Sequence, residues 1–213
     1  MTAARSAAAA NPFARAQFLI SCADLAQLPR DEQPEIAFAG RSNAGKSSAL
    51  NALCGHKQLA RVSKTPGRTQ LINLFEIPGL GRFADLPGYG YAEVPAAMRK
   101  SWGRLIGGYV EVRTNLRGVV LIMDIRHPLT DFDEQMLAWA QSAGRPVHVL
   151  LTKADKLGYG AAKNQLLQVR KALAAYPQPP TAQVFSAQSR LGLEDAQSAI
   201  LGLLGLAAPA SQS

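Results

Sequence analysis

One eight-residue stretch combines glycine, lysine and serine at a spacing that can bind phosphate. Residues 40–47 read GRSNAGKS and fit the P-loop pattern G-x-x-x-x-G-K-[ST] at every fixed position. The backbone N–H groups of a glycine-rich turn and of a helix N-terminus supply the close donors that a di- or triphosphate needs. We therefore expect Lys46 to reach the β- and γ-phosphates and the Ser47 hydroxyl to coordinate Mg²⁺.

A strand and a helix are predicted on the two sides of this loop. The apolar run at residues 36–39 reads as a buried strand, and residues 47–54 read as the start of a helix. Farther along, apolar periodicity predicts a helix over residues 96–112 and another that Asp131 could cap. The other strands are predicted at residues 71–77, 82–85, 119–124, 147–151 and 182–185.

This order of elements predicts an α/β fold. A strand, a helix, two strands joined by a tight turn and then repeated strand–helix pairs are typical of a parallel sheet covered by helices on both faces. We expect a three-layer P-loop NTPase fold with a mostly parallel six-stranded sheet and one antiparallel edge strand. Residues 17–21 are an additional strand candidate, and residues 23–28 a short helix.

Length and composition predict one globular domain. The chain has 213 residues, and we expect a flexible Ala-rich tail at residues 1–16, one domain at 17–206 and a loose tail at 207–213. The formal net charge of +8 favours nucleic acid, ribosomal particles or an anionic membrane as a partner. Cys22 and Cys54 are too few for a disulfide framework, so we expect both to be buried small apolar residues. The sequence shows neither a secretion signal nor a run of 18 apolar residues, which predicts no membrane insertion.

Two further segments have the character of a nucleotide switch. Residues 85–88 read DLPG, in which Asp85 follows a strand close to the expected Mg²⁺ and the Gly88 N–H can meet a γ-phosphate. Between this motif and the P-loop lies a basic, turn-rich loop at residues 63–70. A threonine of this loop could complete the Mg²⁺ shell, and we favour Thr69 over Thr65 because it is nearer the second strand.

The residues after two later strands could recognise a base. Residues 152–155 read TKAD and resemble the guanine-reading N-K-x-D motif with threonine in the first place. A carboxylate at Asp155 can accept two hydrogen bonds from guanine, whereas adenine presents an acceptor at N1, so the motif favours GTP over ATP. Since Thr152 is shorter than asparagine, we expect somewhat weaker nucleotide binding. The segment FSA at residues 185–187 would close over the base.

The motifs occur in an order that resembles a known family. GRSNAGKSS, SKTPGRTQLINLF, DLPGYGYAEVP, MDIRHPL and LTKADKL make the chain similar to the EngB-type (YihA/YsxC-like) ribosome-biogenesis GTP-binding proteins. These belong to the TrmE–Era–EngA–EngB–septin-like class within the translation-factor-class GTPases. The resemblance covers about residues 18–204. It implies a cytoplasmic small GTPase with a Ras-like G domain that assists assembly of the large ribosomal subunit and is needed for normal cell division and septation. We expect a monomer, because the sequence shows no exposed apolar face.

The same resemblance implies the site residues. It assigns Mg²⁺ to Ser47 and Thr69, and catalytic roles to Lys46, Thr69 and Asn43. It implies nucleotide contacts at Gly40, Arg41, Ser42, Asn43, Ala44, Gly45, Lys46, Ser47, Gly67, Arg68, Thr69, Gln70, Leu71, Asp85, Leu86, Pro87, Gly88, Thr152, Lys153, Ala154, Asp155, Phe185, Ser186 and Ala187. Its implied partners are the large-subunit precursor, ribosomal RNA and guanine nucleotide.

Slow intrinsic hydrolysis is a further expectation. Tyr89 stands where Ras-like GTPases have the glutamine that orients the attacking water. Two replacements are open: K⁺ near the phosphates, for which Asn43 resembles the asparagine of potassium-activated relatives, or a group that a partner supplies. Arg68 could provide an internal positive charge or could contact an RNA phosphate.

Two other functions compete with a ribosome-assembly GTPase. A small-molecule kinase would need an acceptor pocket and usually a lid, and TKAD together with DLPG argues against it. A membrane-associated septation GTPase would need an amphipathic or lipid anchor, which the sequence does not show. Basic residues near the two switch segments favour an RNA-facing surface instead; they are Lys57, Arg61, Lys64, Arg68, Arg99, Lys100 and Arg104.

Overall fold

Seven strands and five α-helices make up the described part of the chain. The computed structural model describes residues 11–60, 71–89 and 96–206, and the backbone alone for residues 96–102. The strands are β1 (Gln17–Cys22), β2 (Glu35–Gly40), β3 (Ile72–Ile77), β4 (Gly81–Asp85), β5 (Leu116–Asp124), β6 (Val147–Thr152) and β7 (Thr181–Val184). The helices are α1 (Lys46–Cys54), α2 (Ala96–Val112), α3 (Asp131–Ser142), α4 (Tyr159–Leu173) and α5 (Leu193–Leu203).

All seven strands form one sheet in the order β1-β3-β4-β2-β5-β6-β7. Strands β4, β2, β5, β6 and β7 pair in parallel, whereas β3 is antiparallel to both of its neighbours. The predicted α/β fold is confirmed, and so is the additional strand near the N-terminus. Because β1 covers β3 from Gln17↔Glu76 to Cys22↔Ile72, the antiparallel strand is second in the sheet and is not its edge.

Two apolar clusters fill the space between the sheet and the helices. One face packs against α2, α3 and α4, with Tyr109 and Met136 fully buried there. The other face packs against α1 and α5, where Leu50 and Ile200 are fully buried. The uninterrupted apolar runs of β5 and β6 supply residues to both clusters, as expected for central parallel strands.

The packed chain begins earlier than the sequence indicates. Phe13 is completely buried, and its ring centroid lies 4.9 Å from that of Phe83 in a T-shaped contact. Ala16 is also buried. Residues 11–16 therefore pack on the domain, although composition assigned them to a tail; alanine-rich composition hides the one aromatic residue that anchors the segment. The C-terminal tail prediction at residues 207–213 lies outside the described residues.

Two local predictions need correction. The helix expected over residues 23–28 is a single 3₁₀ turn at Leu25–Gln27, capped by the Asp24 carboxylate. The cap residue of α3 is Thr130, and Asp131 is the first helical residue. The Asp133 carboxylate accepts hydrogen bonds from the Thr130 N–H and hydroxyl at 3.0 and 2.8 Å. Because these bonds cap the helix at Thr130, α3 begins one residue earlier than the predicted cap at Asp131 implies.

Both cysteines are buried free thiols, as predicted. Burial raises the pKa of Cys54 to about 12, so this thiol is inert at neutral pH. Within the ranges that the structure describes, the helices are all too short or too polar to cross a membrane.

Candidate functional site

The predicted motifs lie together at the carboxyl ends of the parallel strands. Five parallel strands end there, at Gly40 of β2, Asp85 of β4, Asp124 of β5, Thr152 of β6 and Val184 of β7. In open α/β sheets, ligands bind outside the carboxyl ends of the strands. The segments at residues 40–47, 85–88, 152–155 and 185–187 therefore belong to one site.

The P-loop connects β2 to α1 in a backbone shape that its residue types permit. Gly45 has a φ of 100° and precedes the first helical residue, Lys46. Asn43 has a φ of 62°, a region that asparagine enters more readily than most residues. At Gly40, a Cβ atom would lie 2.6 Å from the carbonyl oxygen of Ile122, so only glycine lets β2 approach β5 here.

Lys46 and Asp85 form an ion pair between the P-loop and the DLPG motif. Their side chains are only 11% and 10% exposed, so the pair is shielded from solvent. Ser47 follows Lys46 in the first turn of α1. Serine hydroxyl and aspartate carboxylate oxygens are hard donors that suit Mg²⁺.

The described residues contain no cluster of three His, Cys, Asp or Glu side chains that could hold a metal alone. A site with few protein oxygens fits Mg²⁺, which usually keeps several waters and binds through one or two side chains plus substrate phosphates. The residues present therefore fit a magnesium–nucleotide complex.

The DLPG motif is joined to the outer side of the P-loop. The Leu86 N–H donates to the Phe38 carbonyl at 3.0 Å, and the Ser42 N–H donates to the Tyr89 carbonyl at 2.7 Å. At Gly88, an added Cβ would lie 3.5 Å from the Cα atom of Ser42. Residues 85–89 thus run alongside the start of the P-loop. Because hydrogen bonds join the two backbones, a movement of one segment would displace the other.

Tyr89, which replaces the water-orienting glutamine, is directed into the protein. Its side chain is 6% exposed, and its ring centroid lies 5.7 Å from that of Phe132 on α3. Among the described residues, neither the Tyr89 hydroxyl nor Oδ1 of the buried Asp133 has a hydrogen-bond partner. Burial raises the pKa of both groups, which keeps the phenol protonated at neutral pH.

Thr152 connects three segments at the end of β6. It is 3% exposed, and its hydroxyl lies within hydrogen-bond distance of the carbonyl oxygens of Ala44 and Met123, the latter at 3.0 Å. Although shorter than asparagine, threonine therefore reaches the P-loop, because the strand brings its Cβ directly against Gly45. The expected weakening of nucleotide binding stays a prediction.

Lys153 reaches back from the TKAD motif to the P-loop. Its Nζ donates to the Asn43 carbonyl at 2.6 Å and lies 2.9 Å from Oδ2 of Asp124. Burial alone would raise the pKa of Asp124, but hydrogen bonds from Arg126 and Lys153 outweigh it and keep that pKa well below its usual range. Asp124 was not predicted as a site residue; its position as the last residue of a buried parallel strand was the available signal.

Asp155 and Ser186 connect the two predicted base-reading segments. The Ser186 hydroxyl donates to Oδ1 of Asp155 at 2.6 Å, and the Ala154 N–H donates to the Phe185 carbonyl at 3.2 Å. Phe185 is fully buried, whereas Ala187 is partly exposed to solvent. A carboxylate fixed in this way suits a ligand that presents two adjacent donors.

Some predicted site residues lie outside the described part of the chain. These are Gly67, Arg68, Thr69 and Gln70, together with the alternative Thr65. Leu71 is described and comes directly before β3.

The fold and the loop motifs define a P-loop GTPase. The family described as "50S ribosome-binding GTPase" matches residues 35–153, which is more than half of the chain. The chain is also 57% identical over 177 residues to "Probable GTP-binding protein EngB" of Yersinia enterocolitica serotype O:8 / biotype 1B, covering 83% of this chain and 82% of that protein. It therefore belongs to the EngB family of GTP-binding proteins, and hydrolysis of GTP is the activity of that family.

Solved structures agree with this fold. A crystal structure of a probable GTP-binding protein EngB aligns with a TM-score of 0.65 at 20% identity, over 80% of this chain and 98% of that one. Era in complex with MgGDPNP and nucleotides 1506–1542 of 16S ribosomal RNA aligns with a TM-score of 0.61 at 21% identity, over 86% and 59% of the two chains. At these identities the likeness concerns the fold.

Proposed function

We propose that GTP and GDP bind at the carboxyl edge of the sheet, on the four motif segments that meet there. The P-loop would cradle the phosphates, while Asp155, Ser186 and Ala187 would read the guanine ring. The observation that carries this proposal is the contact between segments far apart in sequence: Thr152 with Ala44, Lys153 with Asn43, and Ser186 with Asp155. Gly67, Arg68, Thr69, Gln70 and Leu71 complete the proposed nucleotide contacts from the sequence motif.

Mg²⁺ is the proposed metal, with Ser47 and Thr69 as its protein ligands. When bound, it would neutralise charge that develops on the β- and γ-phosphates during transfer to water. Lys46 would carry a positive charge to the same phosphates, exchanging its ion pair with Asp85 for the ligand. Asp85 would then be free to accept hydrogen bonds from the metal's water shell.

Hydrolysis is proposed to be slow in the isolated protein. The Tyr89 side chain is buried and packs on Phe132, so we expect that it does not orient a water. Asn43, whose side chain is exposed, is the residue that could contribute an oxygen ligand to K⁺. A potassium series against sodium at constant ionic strength, with GTP turnover as the readout, tests this role.

We further propose that the protein is a nucleotide-switched assembly factor for the large ribosomal subunit, necessary for normal cell division and septation, and that it acts as a cytoplasmic monomer. The description of the matching family names 50S ribosome binding, which supports this partner. The net charge of +8 suits a phosphate-rich surface such as ribosomal RNA.

Co-sedimentation with ribosomal particles tests the switch. The protein is loaded with GDP or with a non-hydrolysable GTP analogue, and binding is measured at two salt concentrations. We expect the GTP form to bind large-subunit particles preferentially and to lose affinity as salt rises, because phosphate contacts release counterions. Equal absence of binding in both forms, with nucleotide still bound, would contradict the ribosomal role and favour the septation alternative, which flotation with anionic vesicles would detect.

Charge reversal locates the RNA-facing surface. Lys64→Glu with Arg68→Glu changes the loop before β3, and we expect it to weaken particle binding and flatten the salt dependence. Lys163→Glu with Lys171→Glu is the matched control, since both lysines are exposed on α4, which packs against β7 on the side of the sheet opposite β3. Equal losses from the two pairs would show that only the overall charge matters.

A further inference from the structure

Lys153 occupies an uncommon backbone conformation that only its surroundings can maintain. Its φ and ψ are 59° and 30°, and its Nζ bonds to the carbonyl of Asn43, which itself has a φ of 62°. This conformation is strained for a non-glycine residue, and such residues cluster at functional sites. The contact therefore joins two strained residues, one on each side of the nucleotide site.

Asp124 fixes the position of the Lys153 ammonium group. It lies opposite Thr152 in the β5–β6 register, and its side chain is 13% exposed. Its Oδ1 accepts from the N–H and Nε of Arg126 at 3.1 and 2.9 Å. Its Oδ2 accepts from Nη2 of Arg126 at 2.6 Å and from Nζ of Lys153 at 2.9 Å. With both oxygens occupied, the carboxylate has one orientation.

We propose that Asp124 is a positioning residue that holds Lys153 against the P-loop and thereby presets the site for guanine nucleotide. This inference rests on the nucleotide site proposed above. A free lysine side chain samples many rotamers, and a ligand that needs the side chain ordered must overcome that conformational entropy on binding. Asp124 removes this cost because Lys153 is already ordered before the nucleotide arrives.

The solvent exposure of Arg126 and Lys153 distinguishes a positioning role of Asp124 from a purely structural one. Arg126 is 43% exposed and Lys153 is 30% exposed, so their ion pairs with Asp124 are near the surface. Both cations therefore keep contact with solvent, and Asp124→Asn leaves neither of them buried without a partner. We expect loss of Asp124 to change nucleotide affinity more than it changes the melting temperature.

A double-mutant cycle with fluorescent GDP tests the inference. We expect Asp124→Asn to weaken GDP binding about tenfold, mostly through faster dissociation, and Lys153→Met to weaken it at least as much. In the Lys153→Met background, Asp124→Asn should cause no further loss, because its effect passes through the lysine. Asp131→Asn is the matched control, since it removes one exposed carboxylate from the first turn of α3.

The outcomes distinguish the inference from the site proposal. Absence of GDP binding in the parent protein would overturn the nucleotide-site proposal itself, whereas normal affinity in Lys153→Met would overturn the role of Lys153 and with it the positioning role. Weak binding in Lys153→Met with normal binding in Asp124→Asn, or full additivity of the two losses, would overturn the positioning role alone. Arg126→Ala provides a second route if Asp124→Asn folds poorly: it frees the carboxylate without removing it, and we expect an intermediate loss of affinity at an unchanged melting temperature.

Discussion

The hydroxyl of Ser186 donates a 2.6 Å hydrogen bond to the carboxylate of Asp155, thirty-one positions earlier in the chain. This bond lowers the pKa of Asp155, which keeps its carboxylate ionised. The Ser186 oxygen also accepts from the Ser189 N–H at 3.1 Å, so its own position is fixed by the loop that follows β7. Two loops that are far apart in the sequence thus form one hydrogen-bonded unit, which is the proposed site for the base.

Ser186→Ala should weaken guanine-nucleotide binding about tenfold. A hydrogen bond to a charged acceptor typically contributes about 1.5–3 kcal/mol. Without it, the Asp155 carboxylate also loses its orientation toward the proposed position of the base. Isothermal titration with GDP measures the change. Ser189→Ala is the control, since Ser189 contributes its backbone N–H and its side chain is exposed. Equal affinity in Ser186→Ala and the parent protein would show that Asp155 is oriented without this contact.

Glu35→Gln should destabilise the fold far from the nucleotide. The Glu35 side chain is fully buried and accepts hydrogen bonds from Tyr109 at 2.7 Å and from Arg113 at 2.8 and 2.6 Å. Neutralising it leaves the Arg113 guanidinium without its counter-charge, and we expect a loss of about 3 kcal/mol in the free energy of unfolding. Urea denaturation measures this loss.

The exposed Glu32→Gln is the matched control for that variant, and it should stay within about 0.5 kcal/mol of the parent protein. Combining Glu35→Gln with Arg113→Met should recover part of the loss, because the unpaired buried charge is then gone. A double variant less stable than either single one would contradict the ion-pair explanation.

His148 should make stability depend on pH. It is 6% exposed, with Nδ1 2.7 Å from the Thr181 hydroxyl and Nε2 2.9 Å from Oε1 of Gln183. Burial lowers the pKa of His148 below its ordinary value of 6.5. The neutral ring therefore stabilises the native state fully above pH 6.5, and this contribution is lost as pH falls through the lowered native pKa.

Thermal unfolding from about pH 8 to about pH 5 measures this contribution. In His148→Gln, the melting temperature should be lower at neutral pH and should fall less steeply in acid, because no imidazole remains to be protonated. The slope due to one group is at most about 1.4 kcal/mol per pH unit. Parallel curves for the parent protein and the variant would rule out His148 as the source.

Tyr89→Phe should leave GTP hydrolysis unchanged and should change stability little. The hydroxyl is buried and has no hydrogen-bond partner of normal geometry among the described residues, so its removal should change the free energy of unfolding by no more than about 1 kcal/mol. Tyr89→Ala removes the ring from Phe132 as well and should cost about 3 kcal/mol. Single-turnover hydrolysis and urea denaturation measure both variants. Slower hydrolysis in Tyr89→Phe would assign the phenol a catalytic role.

Much of the fold could be predicted because its signals are local. The P-loop glycines, the buried run of β5 and the helical spacing of α2 each depend on a few neighbouring residues, and their boundaries agree with the structure to within a few positions. The sequence alone did not decide whether β1 is a strand of the sheet, since this short apolar segment gains strand structure only by pairing with β3. Phe13 was missed because its burial depends on Phe83, seventy positions away.

The sequence by itself determined the residue types of the site: a phosphate loop, a D-x-x-G segment and a carboxylate suited to guanine. Tertiary structure alone decided how these residues support each other. Asp124 meets Lys153, Ser186 meets Asp155, and Tyr89 is directed toward Phe132 because parallel strands bring their carboxyl ends to one edge. Such contacts join residues that have no fixed spacing in the chain, and only the order of strands in the sheet makes them neighbours.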